Sequence, residues 1–272
     1  MHPREDSQLS FEQTYAQREG KHHERAIDNH DRVLAKHPDD YKAWSCRGYA
    51  LESAGQYEEA VKSFEQALTL EPGFAPAWQG KGIALAKLAQ YEEALSSFNR
   101  ALKLQPEDYR AWQNHGKALL GLGRYKDAIV SFDRVLERKA DSYKAWYNRA
   151  VALTGLHRLQ EALVSLDKAL DIKPSCHYAW NYRGMVLAKL ERFEASLSSF
   201  TQSLAVKPQN ANAWYGRACC YALQGDADRA LGSLQRAIEF SPYLCRVMAH
   251  TDANFHRLRG DKRFQALLQE SF

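Results

Sequence analysis

The sequence predicts an all-α solenoid of helix-turn-helix repeats stacked in chain order, and three observations lead there. All six tryptophans, Trp44, Trp78, Trp112, Trp146, Trp180 and Trp214, recur at an interval of 34 residues, and a fixed period of that size marks a repeat architecture. Inside a copy the apolar positions keep helical spacing: Trp44, Gly48 and Leu51 fall at i, i+4, i+7, and so do Ala60, Phe64 and Ala67 after a break at Gly55. Proline stands near the end of five copies, at Pro72, Pro106, Pro174, Pro208 and Pro242, with Ala140 in the third. Its ring disfavours the helical conformation of the residue before it and so stops the second helix.

Taken in order, residues 1–6 are polar and charged, carry Pro3, and are expected to be disordered. Residues 7–40 form a degenerate N-terminal capping repeat: Ala26, Val33 and Pro38 keep the register, but Ser10 replaces the tryptophan and His30 the phenylalanine. Six repeats follow at 41–74, 75–108, 109–142, 143–176, 177–210 and 211–244. Each has a small residue at the Gly48 place and at the Ala60 place, so that two helix backbones approach closely. A bulky residue, Phe64, Phe98, Phe132, Leu166, Phe200 or Leu234, fills the wedge beyond. Acidic residues such as Glu58, Glu92, Asp127 and Glu161 open the second helices, where carboxylates favour the positive end of the helix dipole. Residues 245–272 read as capping helices: Val247 and Met248 cover the sixth repeat, Thr251 to Asn254 break the helix, and a last helix after Gly260 and Asp261 carries Phe264, Leu267 and Leu268.

Read from Trp44, Gly48, Leu51, Gly55, Tyr57, Ala60, Phe64, Ala67 and Pro72, the series resembles the tetratricopeptide repeat, in six copies over residues 41–244. The departures are Leu159 and Ala227 at the Tyr57 place, and Ser196 with Ser203 for two alanines. The tail from Thr251 resembles the closing segment of bacterial members. The resemblance implies a right-handed superhelix whose first helices line a concave groove that binds extended peptides.

Composition excludes several other classes. The chain of 272 residues is 45% hydrophobic and 26% charged with net charge +4, which lacks the dense basic stripe of a dedicated nucleic-acid binder. No apolar run is long enough to span a bilayer, and MHPREDSQLS has no export signal, so a cytoplasmic protein is expected. Cys46, Cys176, Cys219, Cys220 and Cys245 show no disulfide or zinc spacing and are expected as reduced thiols in packed helices. His2, His22, His23, His30 and His37 are expected as a solvated polar cap without metal. No phosphate loop, nucleophile elbow or calcium loop occurs, so neither enzyme activity nor a cofactor is expected.

Function is then sought on the side of each first helix that turns away from Trp44, Gly48 and Leu51. Its positions carry Gln79, Gln113, Tyr147, Asn181 and Tyr215 at the Ser45 place, and Ile83, Lys117, Val151, Met185 and Cys219 at the Tyr49 place. Leu120 stands at the Glu52 place, Arg110 and Lys144 at the Lys42 place, and Lys87, Asn114, Asn148 and Lys189 lie alongside. Amides to bond a peptide backbone, an apolar floor and selecting cations together suit a hydrophobic segment bearing carboxylates. Gln79, Ile83 and Asn148 replace residues that the family's chaperone-tail clamp would need, which argues against that ligand. A cationic ladder, Arg47, Lys81, His115, Arg149, Arg183 and Arg217, borders the core and reads as structural. The reading is a monomeric scaffold or adaptor for a partner protein, such as an assembly factor for a larger complex. The alternatives are an RNA-binding array and self-association through Phe264, Leu267, Leu268 and Phe272.

Overall fold

The computed structural model describes residues 23–269, and among them every regular element is helical. The chain divides into two compact units, one ending at Arg138 and one starting at Lys139. The first holds α1 (23–36), α2 (Tyr41–Ser53), α3 (Tyr57–Leu70), α4 (Ala75–Lys87), α5 (Tyr91–Leu104), α6 (Tyr109–Gly121) and α7 (Tyr125–Arg138). The second holds α8 (Tyr143–Gly155), α9 (Leu159–Ile172), α10 (His177–Lys189), α11 (Phe193–Val206), α12 (Ala211–Gln224), α13 (Ala227–Phe240) and α14 (Pro242–Thr251). A 3-10 turn (Ala253–Leu258) and α15 (Lys262–Gln269) complete it. Within each unit a first helix pairs with the second helix that follows, and each second helix packs on the next first helix, the arrangement of an α-solenoid. The start of the N-terminal capping repeat, His2, His22 and Phe272 lie outside the described residues.

Helix starts follow local chemistry. Asp40 accepts from the amides of Lys42 and Ala43 at 2.9 and 3.0 Å, Asp108 from Arg110 at 2.8 Å, and Asp226 from Arg229 at 3.0 Å. Each such cap stabilises its helix by about 1 kcal/mol.

The close approach is set by glycine and phenylalanine. A Cβ placed on Gly48, Gly82, Gly116 or Gly184 would come within 2.6–2.7 Å of the ring of Phe64, Phe98, Phe132 or Phe200. These four rings are at most 1% exposed and have nowhere to retreat. Where the small residue is alanine, at Ala150 and Ala218, its partner is Leu166 or Leu234 and both members are fully buried. The pair thus trades volume across the helix contact, glycine with phenylalanine and alanine with leucine.

The proline place has a different task from the one expected. Second helices stop two residues before it, with Glu71, Gln105, Lys173 and Lys207 extended at φ of −137° to −133°. Yet α7 ends in the same register although Ala140 stands there. What all six copies share is a carbonyl: the indole Nε1–H of Trp44, Trp78, Trp112, Trp146, Trp180 and Trp214 donates to the C=O of Pro38, Pro72, Pro106, Ala140, Pro174 and Pro208, at 2.7–2.9 Å. Alanine supplies that acceptor as well as proline does.

The turn inside each pair needs a left-handed residue. Gly55, Gly123 and Gly225 adopt φ of 70° to 82°, and the equivalent Ala89, His157 and Glu191 are forced to 58° or 59°, a region that crowds any Cβ.

At the C-terminal end the sixth pair ends at Phe240, and α14 begins at Pro242, because proline fits a first helical turn whose N–H has no partner anyway. The helix carrying Val247 and Met248 covers the sixth repeat, but through Cys245 and Ala249: Val247 and Met248 are exposed, as are Tyr243 and Leu244. The rest of the cover comes from Phe255, Leu258 and Phe264, with Phe255 edge-on to Tyr215 at 5.7 Å and 5.5 Å from Phe264. Leu267 and Leu268 pack against the same cluster.

Candidate functional site

In the N-terminal unit the first helices α4 and α6 bring four of the expected residues together. Ile83 and Lys87 lie one turn apart on α4, Asn114 and Lys117 at i, i+3 on α6, and with Ala86, Tyr91, Phe98 and Ala118 they line a pocket of about 280 Å³. Lys87 and Lys117 are exposed at its rim. Gln79, Gln113 and Leu120 are half-buried on the same two helices outside that pocket. Arg110 is exposed, and its Nε donates to the Tyr109 hydroxyl at 3.4 Å.

In the C-terminal unit the expected residues fall into two groups. Tyr147 on α8 meets Tyr178 and Tyr182 of α10 edge-on, with ring centroids 4.9 and 5.6 Å apart. Burial pushes the Tyr147 hydroxyl up to about 12, so it remains a hydrogen-bond donor at neutral pH. Lys144 is exposed on α8, where Asn148 and Val151 are half-buried. Asn181 and Met185 join a second pocket of about 500 Å³ between α10 and α12, lined also by Lys189, Asn212, Tyr215, Cys219, Met248, Asp252 and Asn254. Its lining is largely apolar. The Asn181 amide nitrogen lies 3.7 Å from the Met185 sulfur, and its buried Oδ1 has no protein partner.

Three positions assigned to the open side are committed elsewhere. Ser45 and Tyr215 are buried, and the Tyr215 hydroxyl donates to Asp252 at 2.9 Å. The Tyr49 hydroxyl donates to the Pro76 carbonyl at 2.7 Å, and its ring stands edge-on to Phe64. Met248, Asp252 and Asn254 belong to the cap, outside the repeat register, so periodicity carries no signal for them. Cys46 is exposed, in contrast to the other four cysteines. Burial, followed by the Asp252 carboxylate, holds the Cys219 thiol well above its ordinary range.

The cationic ladder borders the core, as expected, and a second ladder explains it. Ser63, Ser97, Ser131, Ser165, Ser199 and Ser233 are all buried, each 16 residues after a ladder position. Arg47, Arg149 and Arg183 donate to Ser63, Ser165 and Ser199 at 2.7–2.9 Å. Carboxylates sit on the other side, Asp31 to Arg47, Glu65 to Lys81 and Asp167 to Arg183, at 2.6–2.8 Å. Each ladder cation except His115 also lies 5.0–6.0 Å from the tryptophan ring of its own first helix. The serine period was open to reading in the sequence, since it repeats as strictly as the tryptophans.

Among the described residues no helix is long and apolar enough to cross a membrane, and no three His, Cys, Asp or Glu side chains gather as metal ligands would. No curated protein matches the sequence. Solved structures do share the fold. The chain aligns with MamA from Desulfovibrio magneticus RS-1 at 23% identity, covering 62% of this chain and 96% of that one, with a TM-score of 0.59. It aligns with YrrB, described as a TPR protein with an unusual peptide-binding site, at 23% identity over 71% of this chain and 100% of that one, TM-score 0.55. A tetratricopeptide repeat protein from Parabacteroides merdae matches at 17% identity over 94% and 95% of the two chains, TM-score 0.66. Family models described as tetratricopeptide repeat match residues 51–115 in one case and 14–75, 114–177 and 183–244 in another. The chain belongs to the tetratricopeptide repeat family.

Proposed function

We propose that this protein is a non-catalytic scaffold that holds an extended segment of a partner protein on its first-helix faces. Tetratricopeptide repeat proteins serve in general as protein-protein interaction scaffolds, and YrrB, similar in fold, is described as having a peptide-binding site. The observation that carries the reading is the pocket of about 500 Å³ between α10 and α12, where Met185, Leu223 and Met248 offer apolar surface beside the unpartnered Asn181 carbonyl. An apolar side chain fills such a space while the amide takes a backbone N–H of the segment. In the N-terminal unit Lys87 and Lys117 flank the smaller pocket, which favours carboxylates there. The RNA reading has less support, because Arg47, Lys81, Arg149 and Arg183 are already bonded to serine or carboxylate and, like Arg217, lie beside an indole.

Selection from a library of random twelve-residue peptides tests the proposal. The native protein should enrich apolar segments with aspartate or glutamate, and a folded Lys117→Glu, Met185→Glu variant should lose them. Failure to enrich any sequence class, or enrichment that the variant retains, refutes it.

A further inference from the structure

Between the second helices α5 and α7, over the floor of α6, lies a cleft of about 570 Å³, which takes Trp112, His115 and Leu119 from α6 where the α4–α6 pocket takes Asn114, Lys117 and Ala118. It occurs where the cationic ladder is interrupted. In the other repeats a long cation lies beside the tryptophan of its own first helix, and Arg47, Lys81 and Arg183 reach a carboxylate of the preceding second helix. Here both members are changed: the short ring of His115 replaces the cation and Asn99 replaces the carboxylate. Trp112 and the His115 imidazole meet in a T-shaped pair, with ring centroids 5.7 Å apart.

The chemistry left in the cleft is that of acceptors. Ser131 donates its hydroxyl to the Asp127 carbonyl at 3.1 Å, so His115 Nδ1, 2.9 Å from that hydroxyl, is the donor in their bond. The neutral imidazole therefore keeps an acceptor lone pair on Nε2. Glu92 lines the cleft and makes no ion pair among the described residues, whereas the Arg124 guanidinium is bonded to Asp127 by two N–H groups at 2.7 and 3.0 Å. With His115 neutral the lining carries two carboxylates against one guanidinium.

The geometry points to a receptor site for an arginine side chain of a partner protein, which inserts beside Trp112 where the ladder's own cation lies in the other repeats. The guest guanidinium stacks near the indole and donates to Asn99, His115 and Glu92. The chain supplies the template itself, with four arginines and one lysine beside the equivalent ring in the other five repeats.

The six indole N–H signals, one per repeat, make the test. The probe is N-acetyl-arginine methylamide, titrated at matched ionic strength beside N-acetyl-norleucine methylamide. The Trp112 signal should shift saturably with a midpoint on the order of 10 mM for a single side chain, while the other five hold still and the norleucine compound has no effect. Asn99→Asp restores the missing carboxylate and leaves the cleft open, so it should tighten the midpoint by about fivefold. His115→Arg with Asn99→Asp rebuilds the ladder, fills the cleft and should abolish the shift, with the five other signals reporting the intact fold. An unchanged Trp112 signal, equal movement of all six, or a response that survives the rebuilt ladder would overturn the inference.

Discussion

The exchange of volume between the Gly48 and Phe64 places can be measured as a coupling energy. In Gly82→Ala the new Cβ would stand 2.6 Å from Phe98 Cε1 and 2.8 Å from Cδ1, against an optimum near 3.5–4.0 Å for carbon pairs. The ring must yield by about 1 Å inside a fully buried site, a cost of roughly 1–3 kcal/mol, partly offset by about 1 kcal/mol from alanine's better helix propensity. Phe98→Leu alone leaves a void and costs roughly 1–2 kcal/mol. In the double variant the leucine makes room for the methyl, as Leu166 does for Ala150 and Leu234 for Ala218. The two changes should therefore compensate, with a coupling of about 1–3 kcal/mol. Urea unfolding of the four proteins, followed by circular dichroism, gives that number, and hydrogen exchange in α4 and α5 localises it where a repeat array unfolds in parts. Additivity within about 0.5 kcal/mol would refute the argument that these residues are matched.

Three further outcomes follow from the same geometry. Ala89→Gly, His157→Gly and Glu191→Gly each remove a Cβ from a left-handed turn and should raise unfolding stability by about 1 kcal/mol, whereas Gly123→Ala should lower it; chemical denaturation reads both signs. Arg217 has Thr201 where Arg183 has Asp167, and its buried Nε lacks a partner, so Thr201→Asp should stabilise the protein by about 0.5–1 kcal/mol, an increment that added salt reduces and that Arg217→Met removes. Burial, and after it the nearby Arg124, hold the His115 imidazole below its ordinary range, so the folded protein binds that proton more weakly than the unfolded chain does. The stability tied to His115 is then complete above about pH 6.5 and is lost as pH falls through the folded value; His115→Gln should flatten the acid side of a stability-versus-pH curve, and an unchanged slope would count against it.

The parts that were legible in the sequence are those tied to the period, because a property that recurs at six positions is visible without coordinates. Helix pairing, the glycine contacts and the placement of Ile83, Lys87, Asn114 and Lys117 around one pocket follow from register alone. Two kinds of feature resisted. Ala140 is the one exception to a proline expected to stop the helix, and the indole bond to the carbonyl at that place shows why alanine serves there. The cap resisted because it leaves the register: periodic extrapolation turned Val247 and Met248 inward, but the hydrogen bond of Tyr215 to Asp252 and the edge-on contact of Phe255 with Tyr215 bring the 3-10 turn over α12 as well. That same departure puts Met248, Asp252 and Asn254 into the larger pocket, so part of the candidate site comes from residues with no repeat equivalent. In an array of near-identical helices, residues that break the pattern can give one position a chemistry that its neighbours lack. His115 with Asn99 does so where two successive repeats meet, and Asp252 does so at the end of the stack.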